Sequence, residues 1–93
     1  MYRLVYTNKA AKQIKKLDKP VKIELKRRLE LIALNPLIGQ KKKGKLQDIW
    51  GYGFNWQGTA YRIAYKIFED ELVVLVFAAG THQGFWEQVS RYL

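Results

Sequence analysis

Ninety-three residues, none of them cysteine, set the scale of one small domain, residues 1–93, with neither a disulfide framework nor thiolate chemistry. No apolar run approaches the ~18 residues of a membrane span, and the N-terminus lacks the basic and long apolar regions of a signal peptide, so a cytoplasmic protein with no membrane role is expected. Seventeen Lys and Arg against eight Asp and Glu leave a net charge of +9, which points to a polyanionic partner: nucleic acid, an acidic protein, or both.

The chain opens on alternation. Tyr2, Leu4 and Tyr6 against Arg3 and Val5 predict a short strand over 2–6. Thr7 or Asn8 supplies an N-cap for a first helix from about Lys9 to Leu17, with Ala10, Ile14 and Leu17 on one stripe. Asp18-Lys19-Pro20 breaks and restarts the helix, because proline is tolerated in a first turn where its missing N–H costs nothing. The second helix runs to about Leu34. It has Val21, Leu25, Leu29 and Ile32 buried, and Lys22, Lys26, Arg27 and Arg28 mostly facing water. Asn35-Pro36 ends it. Two helices with one shared apolar face form a hairpin.

Residues 35–47 read as a loop carrying Lys41, Lys42, Lys43 and Lys45. Three strand-like segments follow: Asp48–Trp56, Thr59–Phe68 and Leu72–Ala79. Gln57-Gly58 and Glu69-Asp70 make tight turns between them, so the three pair as an antiparallel meander. Gly80 breaks the last strand, and Phe85–Tyr92 forms a short helix. The order β-α-α-β-β-β-α predicts an α+β fold. Its economical form is a four-stranded antiparallel sheet with helices on one side: the helical hairpin packed on one face, and a short C-terminal helix.

Alternation then sorts side chains. Tyr61, Ile63, Tyr65 and Ile67 form the core face of the second meander strand. Ala60, Arg62, Ala64 and Lys66 form the open one. Arg62 is either a solvated charge or a phosphate clamp, since guanidinium offers a permanently charged planar fork of donors. On the strand before it, Trp50, Tyr52, Phe54 and Trp56 face the helices, which turns Gly51 and Gly53 to the open side. Glycines there mark a bulge or a place where a ligand approaches the backbone closely. His82, the only histidine, sits in a loop beyond the last strand; beside an arginine it is a candidate proton-transfer group. Of Phe85 and Trp86, one should pack and the other stay exposed to stack on a base. One histidine, no cysteine and acids without motif spacing give no support for a metal site, and no glycine-rich phosphate loop suggests nucleotide use.

An ordered set of segments along the whole chain resembles the RelE/ParE toxin superfamily of type II toxin–antitoxin systems. The segments are Tyr2-Arg3-Leu4-Val5-Tyr6, Leu17-Asp18-Lys19-Pro20 between helices, and the Lys45, Leu46, Asp48, Trp50 approach to the sheet. Tyr61-Arg62-Ile63-Ala64-Tyr65 and Gly80-Thr81-His82, followed by Phe85-Trp86, complete the set. The resemblance implies an RNase-like α/β fold and, for RelE-like members, metal-independent cleavage of mRNA on the ribosome by attack of a 2′-hydroxyl on the adjacent phosphate. It implies a cognate antitoxin, with operator DNA reached only through that antitoxin. ParE-like members instead poison DNA gyrase, and an inactive RNA-binding relative is a third possibility. Carried onto this chain, the resemblance makes Arg62, His82 and Trp86 the catalytic candidates. Lys41, Lys42, Lys43, Lys45, Gly51, Gly53, Lys66 and Phe85 become candidates for RNA contact. One departure stands out: where RelE-like members carry two strand cations, this chain has Gly51 and Gly53.

Overall fold

The computed structural model describes residues 1–81 and 83–92. Strand β1 (Arg3–Tyr6) leads into helix α1 (Asn8–Lys15) and helix α2 (Lys19–Leu34). Next come a 3₁₀ turn at Pro36–Ile38, a two-residue strand β2 (Gln40–Lys41) and a second 3₁₀ turn at Gly44–Leu46. Strands β3 (Trp50–Trp56), β4 (Thr59–Phe68) and β5 (Val73–Gly80) follow, and helix α3 (Phe85–Arg91) comes last. This is the α+β class expected from the pattern.

Thr7 is the cap that starts α1. Its hydroxyl accepts from the Ala10 amide at 3.0 Å and donates to the Phe77 carbonyl at 2.9 Å, so one side chain both begins the helix and ties it to β5. Pro20 lies in the first turn of α2, and Val21, Leu25, Leu29 and Ile32 are buried as their spacing requires. Leu25, Leu29 and Ile32 meet Phe54, Ile63, Tyr65, Val74, Val76 and Ala79 on one face of the sheet. Removing this much apolar surface from water is the main driving force for the fold.

The meander forms as predicted, with β4 antiparallel to both β3 and β5. Gln57 and Gly58 both have positive φ, the condition for a two-residue turn whose twist matches the strands. The second turn is longer than two residues: Glu69 to Leu72 close it, with the Leu72 amide donating to the Glu69 carbonyl at 3.2 Å. β3 begins two residues later than the sequence suggests, because Asp48 has φ 71° and Ile49 is turned into the core.

Three expectations need correction. The sheet has five strands, in the order β1-β5-β4-β3-β2, because Gln40 and Lys41 pair with Gly51 and Trp50 inside the supposed loop. The sheet is not wholly antiparallel, since β1 runs parallel to β5, with Arg3 opposite Val73 and Tyr6 opposite Val76. Alternation says which side chains share a face, but it carries no sign of strand direction. Finally, the helices do not all lie on one side. α3 packs on the opposite face through Phe85 and Val89, against Ile49, Ala64 and Ala78.

A bulge makes that second core. Ala64 pairs with Ala78 but Tyr65 pairs with Val76, so β5 carries one extra residue, Phe77. Val74 and Val76 face the hairpin and Phe77 and Ala78 face α3; beyond the bulge Ala79 faces the hairpin again. Arg28 also departs from the solvated face predicted for it. It donates to the Glu24 carboxylate at 2.6 Å and to the Tyr52 hydroxyl at 3.0 Å, and lies 4.9 Å from the centre of the Phe54 ring. The hydrogen bond from Arg28, with Arg27 adding to it, holds the Glu24 carboxyl below its usual range, while the bonds to Tyr52 and Glu24 raise the Arg28 guanidinium.

Candidate nucleic-acid interface

The face of the sheet away from the helical hairpin carries a groove of about 390 Å³, lined by Ile38, Gly39, Gln40, Lys42, Gly51, Tyr52, Gly53, Arg62 and Trp86. Backbone geometry builds it. Gly53 and Arg62 are cross-strand partners, so the absence of a side chain at 53 leaves the arginine uncovered on that side. Arg62 is half-buried, and its Nη1 donates to the Thr81 carbonyl at 3.4 Å. That contact brings the guanidinium beside the segment leading to position 82. His82 itself lies outside the described residues.

The opposite wall is the stretch from Ile38 to Lys42. Tyr65 holds it in place: its phenol, buried in the core, donates to the Pro36 carbonyl at 2.6 Å. Gly39 lies so close to that phenol that a β-carbon would come within 2.3 Å of its oxygen. Burial pushes the Tyr65 phenol up to about 12, so it stays protonated and donating. β2 then carries Gln40 beside Gly51, and the Lys42 amide donates to the Ile49 carbonyl at 2.8 Å. Period-two alternation sends Gln40 and Lys42 into the groove and Lys41 away from it.

The remaining wall is α3. Phe85 is 2% exposed and packs with Ala64 and Ala78, whereas Trp86 is half-buried and lines the groove. The two rings meet edge to face at 4.9 Å. As expected, one packs and one remains accessible. The assignment of Phe85 to RNA contact is corrected, because a ring in this core has no face left for a base. Ala64 lies in the same cluster, so the supposedly open face is closed at its middle.

That closure separates the predicted cations. Arg62 and Lys42 line the groove described above, while Lys66 and Lys41 line another of about 370 Å³ with Asp48, Trp50 and Glu69. The Lys66 ammonium lies 5.6 Å from the centre of the Phe77 ring. Lys43 and Lys45 are exposed and line neither groove. Lys66 and Arg62 therefore do not form one clamp, although alternation puts them on one face. Gln40 and Tyr52, which the sequence did not mark, belong to the groove. Period two flagged only the side of Tyr52, and nothing in a two-residue strand flags Gln40.

Among the described residues neither Lys42 nor Arg62 has an acidic ion-pair partner; the ion pairs there join Glu24 to Arg27 and Arg28. A groove with two cations, an accessible indole and bare backbone at two positions suits an anion attached to an unstacked ring.

Comparison with known proteins agrees with this architecture. Over 95 aligned residues, covering 99% of this chain and 98% of the other, the sequence is 27% identical to the mRNA interferase toxin RelE of Escherichia coli K12. Among solved structures, the chain is similar to one in the intact E. coli RelBE toxin–antitoxin complex, with TM-score 0.73, 26% identity, and 89% and 99% of the two chains covered. The RelBE2 complex of Mycobacterium tuberculosis gives TM-score 0.73 at 19% identity over 87% of this chain and 98% of that one, a likeness of fold. Residues 4–90, nearly the whole chain, match the family model for the ParE-like toxin of type II bacterial toxin–antitoxin systems, and the chain belongs to that family.

Proposed function

We propose that this toxin is a metal-independent endoribonuclease that cuts mRNA on the ribosome and is held inactive by a cognate antitoxin. The observation that carries this reading is the groove over Gly51 and Gly53, where Arg62 and Trp86 line one cleft with no acidic side chain among its lining residues. Relatives of this length named as mRNA interferases, and a similar chain solved with its antitoxin, support the same reading.

In the proposed reaction the 2′-hydroxyl of a bound nucleotide attacks the adjacent phosphorus. Its proton leaves, the bond to the 5′-oxygen breaks, and that oxygen takes up a proton. Arg62 offsets the extra negative charge on the phosphorane, a contact that can contribute about 3–4 kcal/mol. His82 performs one of the two proton transfers. A single imidazole cannot do both at once, so water or ribosomal RNA supplies the other. Trp86 holds an unstacked base, worth about 1–3 kcal/mol. Lys43 and Lys45 add salt-sensitive affinity for the phosphate backbone.

A gyrase poison is the second reading, and Gly51 and Gly53 favour it, because they withhold two strand cations from the cleft. Mapping mRNA 5′ ends after brief expression separates the two. New 5′ ends within translated codons, lost in Arg62→Ala and in His82→Ala, are expected of the nuclease. Intact mRNA together with DNA-damage signalling would exclude it and support the gyrase target.

A further inference from the structure

We propose that one of the cations absent from β3 is supplied by Lys42, the residue just after edge strand β2, and that Lys42 and Arg62 together form a two-cation clamp for a single phosphodiester seated over Gly51 and Gly53. The inference deepens the nuclease reading and rests on it for the identity of the anion, a phosphodiester of single-stranded RNA.

Three observations place Lys42 apart from its neighbours in the basic loop. First, its side chain crosses Gly51. A β-carbon at that position would lie 2.7 Å from the Lys42 Cε and 2.6 Å from a ring carbon of Trp86. Glycine at 51 is thus the condition for a lysine stem to reach across the sheet; a strand-borne lysine there would occupy the same space. Second, the backbone is anchored by the β2–β3 ladder and by the Lys42 amide bond to Ile49, so the stem starts from a fixed point. Third, its ammonium lies 4.2 Å from the centre of the Trp86 ring, and no acid among the described residues neutralises it. The indole face holds the charge at the groove wall while the groove is empty, at a cost in binding that is small because cation–π contacts at partly exposed sites are weak.

Gly53 completes the arrangement. A β-carbon there would meet only the Tyr61 carbonyl, at 3.7 Å, so the floor beside Arg62 is open. A phosphate resting on that floor has guanidinium on the β4 side and ammonium on the β2 side. Lysine acts as a mobile point charge and arginine as a fixed fork, a division that suits a phosphate whose charge changes during reaction.

The test is binding of a 2′-O-methyl RNA trinucleotide, which carries phosphodiesters but no attacking hydroxyl. It is followed by the assigned Trp86 indole N–H signal in NMR. Lys42→Met keeps an unbranched stem against the indole and removes the charge; it is expected to weaken binding by about tenfold to a hundredfold at fixed ionic strength. Lys42→Arg is expected to retain most of the affinity. Lys43→Ala, which removes the same charge outside the groove, is expected to weaken binding only about twofold to threefold, an effect that salt erases. The proposal is overturned if Lys42→Met, folded by its circular dichroism, binds as well as Lys43→Ala. It is also overturned if the wild type binds the trinucleotide without moving the Trp86 signal, or does not bind it at all. Cleavage is not required for this readout. A wild type that binds through Lys42 yet leaves mRNA intact on expression upholds the clamp and removes the nuclease.

Discussion

The Trp86 indole lies directly over Gly51, so closely that a β-carbon on residue 51 would sit 2.6 Å from one ring carbon and 2.8 Å from another. The wall and the floor of the groove are therefore fitted to each other, and the position cannot accept a side chain unless the indole moves.

Gly51 and Gly53 should accordingly respond differently to the same change. Gly51→Ala is expected to lower stability by roughly 1–3 kcal/mol, as overpacking does, and to displace the Trp86 indole signal. Gly53→Ala meets only ordinary contact and should change stability by no more than about 0.5 kcal/mol. Urea denaturation of the two variants checks this; equal losses would mean that the indole is not seated on residue 51.

Phe85 and Trp86 are adjacent, but they should separate stability from activity. Truncating Phe85 to alanine empties the small core shared with Ile49, Ala64, Ala78 and Val89, at a cost of roughly 3–5 kcal/mol. That is a large share of the ~5–15 kcal/mol available to a small domain. Trp86→Ala removes a half-buried ring at the groove and should lose about 1–2 kcal/mol while sharply reducing translation arrest. Thermal melts beside a cell-free translation assay separate the two roles.

Ala60 and Ala64 share a strand face by alternation but not an environment. Ala60 is exposed and Ala64 is fully buried beneath α3. Ala60→Lys should be neutral within about 0.5 kcal/mol. Ala64→Lys buries an unpaired ammonium against Phe85 and Val89 and should unfold the chain or detach α3. A wild-type melting temperature for Ala64→Lys would refute the second core.

Tyr65 gives a pH signature. Burial raises its folded-state phenol to about 12, against an ordinary value of 10.0. The protonated form is thus the one the fold favours. Its contribution is complete below about pH 10 and is lost as the pH rises from 10 through 12. Tyr65→Phe removes the bond to the Pro36 carbonyl, costing about 1 kcal/mol at neutral pH. It should also flatten the alkaline decline relative to wild type, as read from urea midpoints at pH 8, 10 and 11. Tyr6, raised in the same direction, titrates in both proteins and cancels from the difference.

Local pattern by itself determined the two helices, the meander and the side of each strand that carries aromatics. Each depends on interactions only a few residues apart: the 3.6-residue stripe of Val21, Leu25 and Leu29, the positive-φ turn at Gln57-Gly58, and the alternation of Trp50, Tyr52 and Phe54 with Gly51, Gly53 and Asn55. The same alternation turned Arg62 and the two glycines toward one groove. Tertiary structure alone decided the rest. β1 pairs in parallel with a strand some seventy residues away, a choice no local propensity encodes. The extra residue at Phe77 in β5 turns Ala78 toward α3, and that helix burying Ala64 and Phe85 divides the open face into two grooves. It thereby separates Lys66 from Arg62 and leaves Lys42 beside it. Composition could count the lysines of the basic loop. Only the pairing of Gln40 with Gly51 could determine which of them reaches across a bare glycine into the groove.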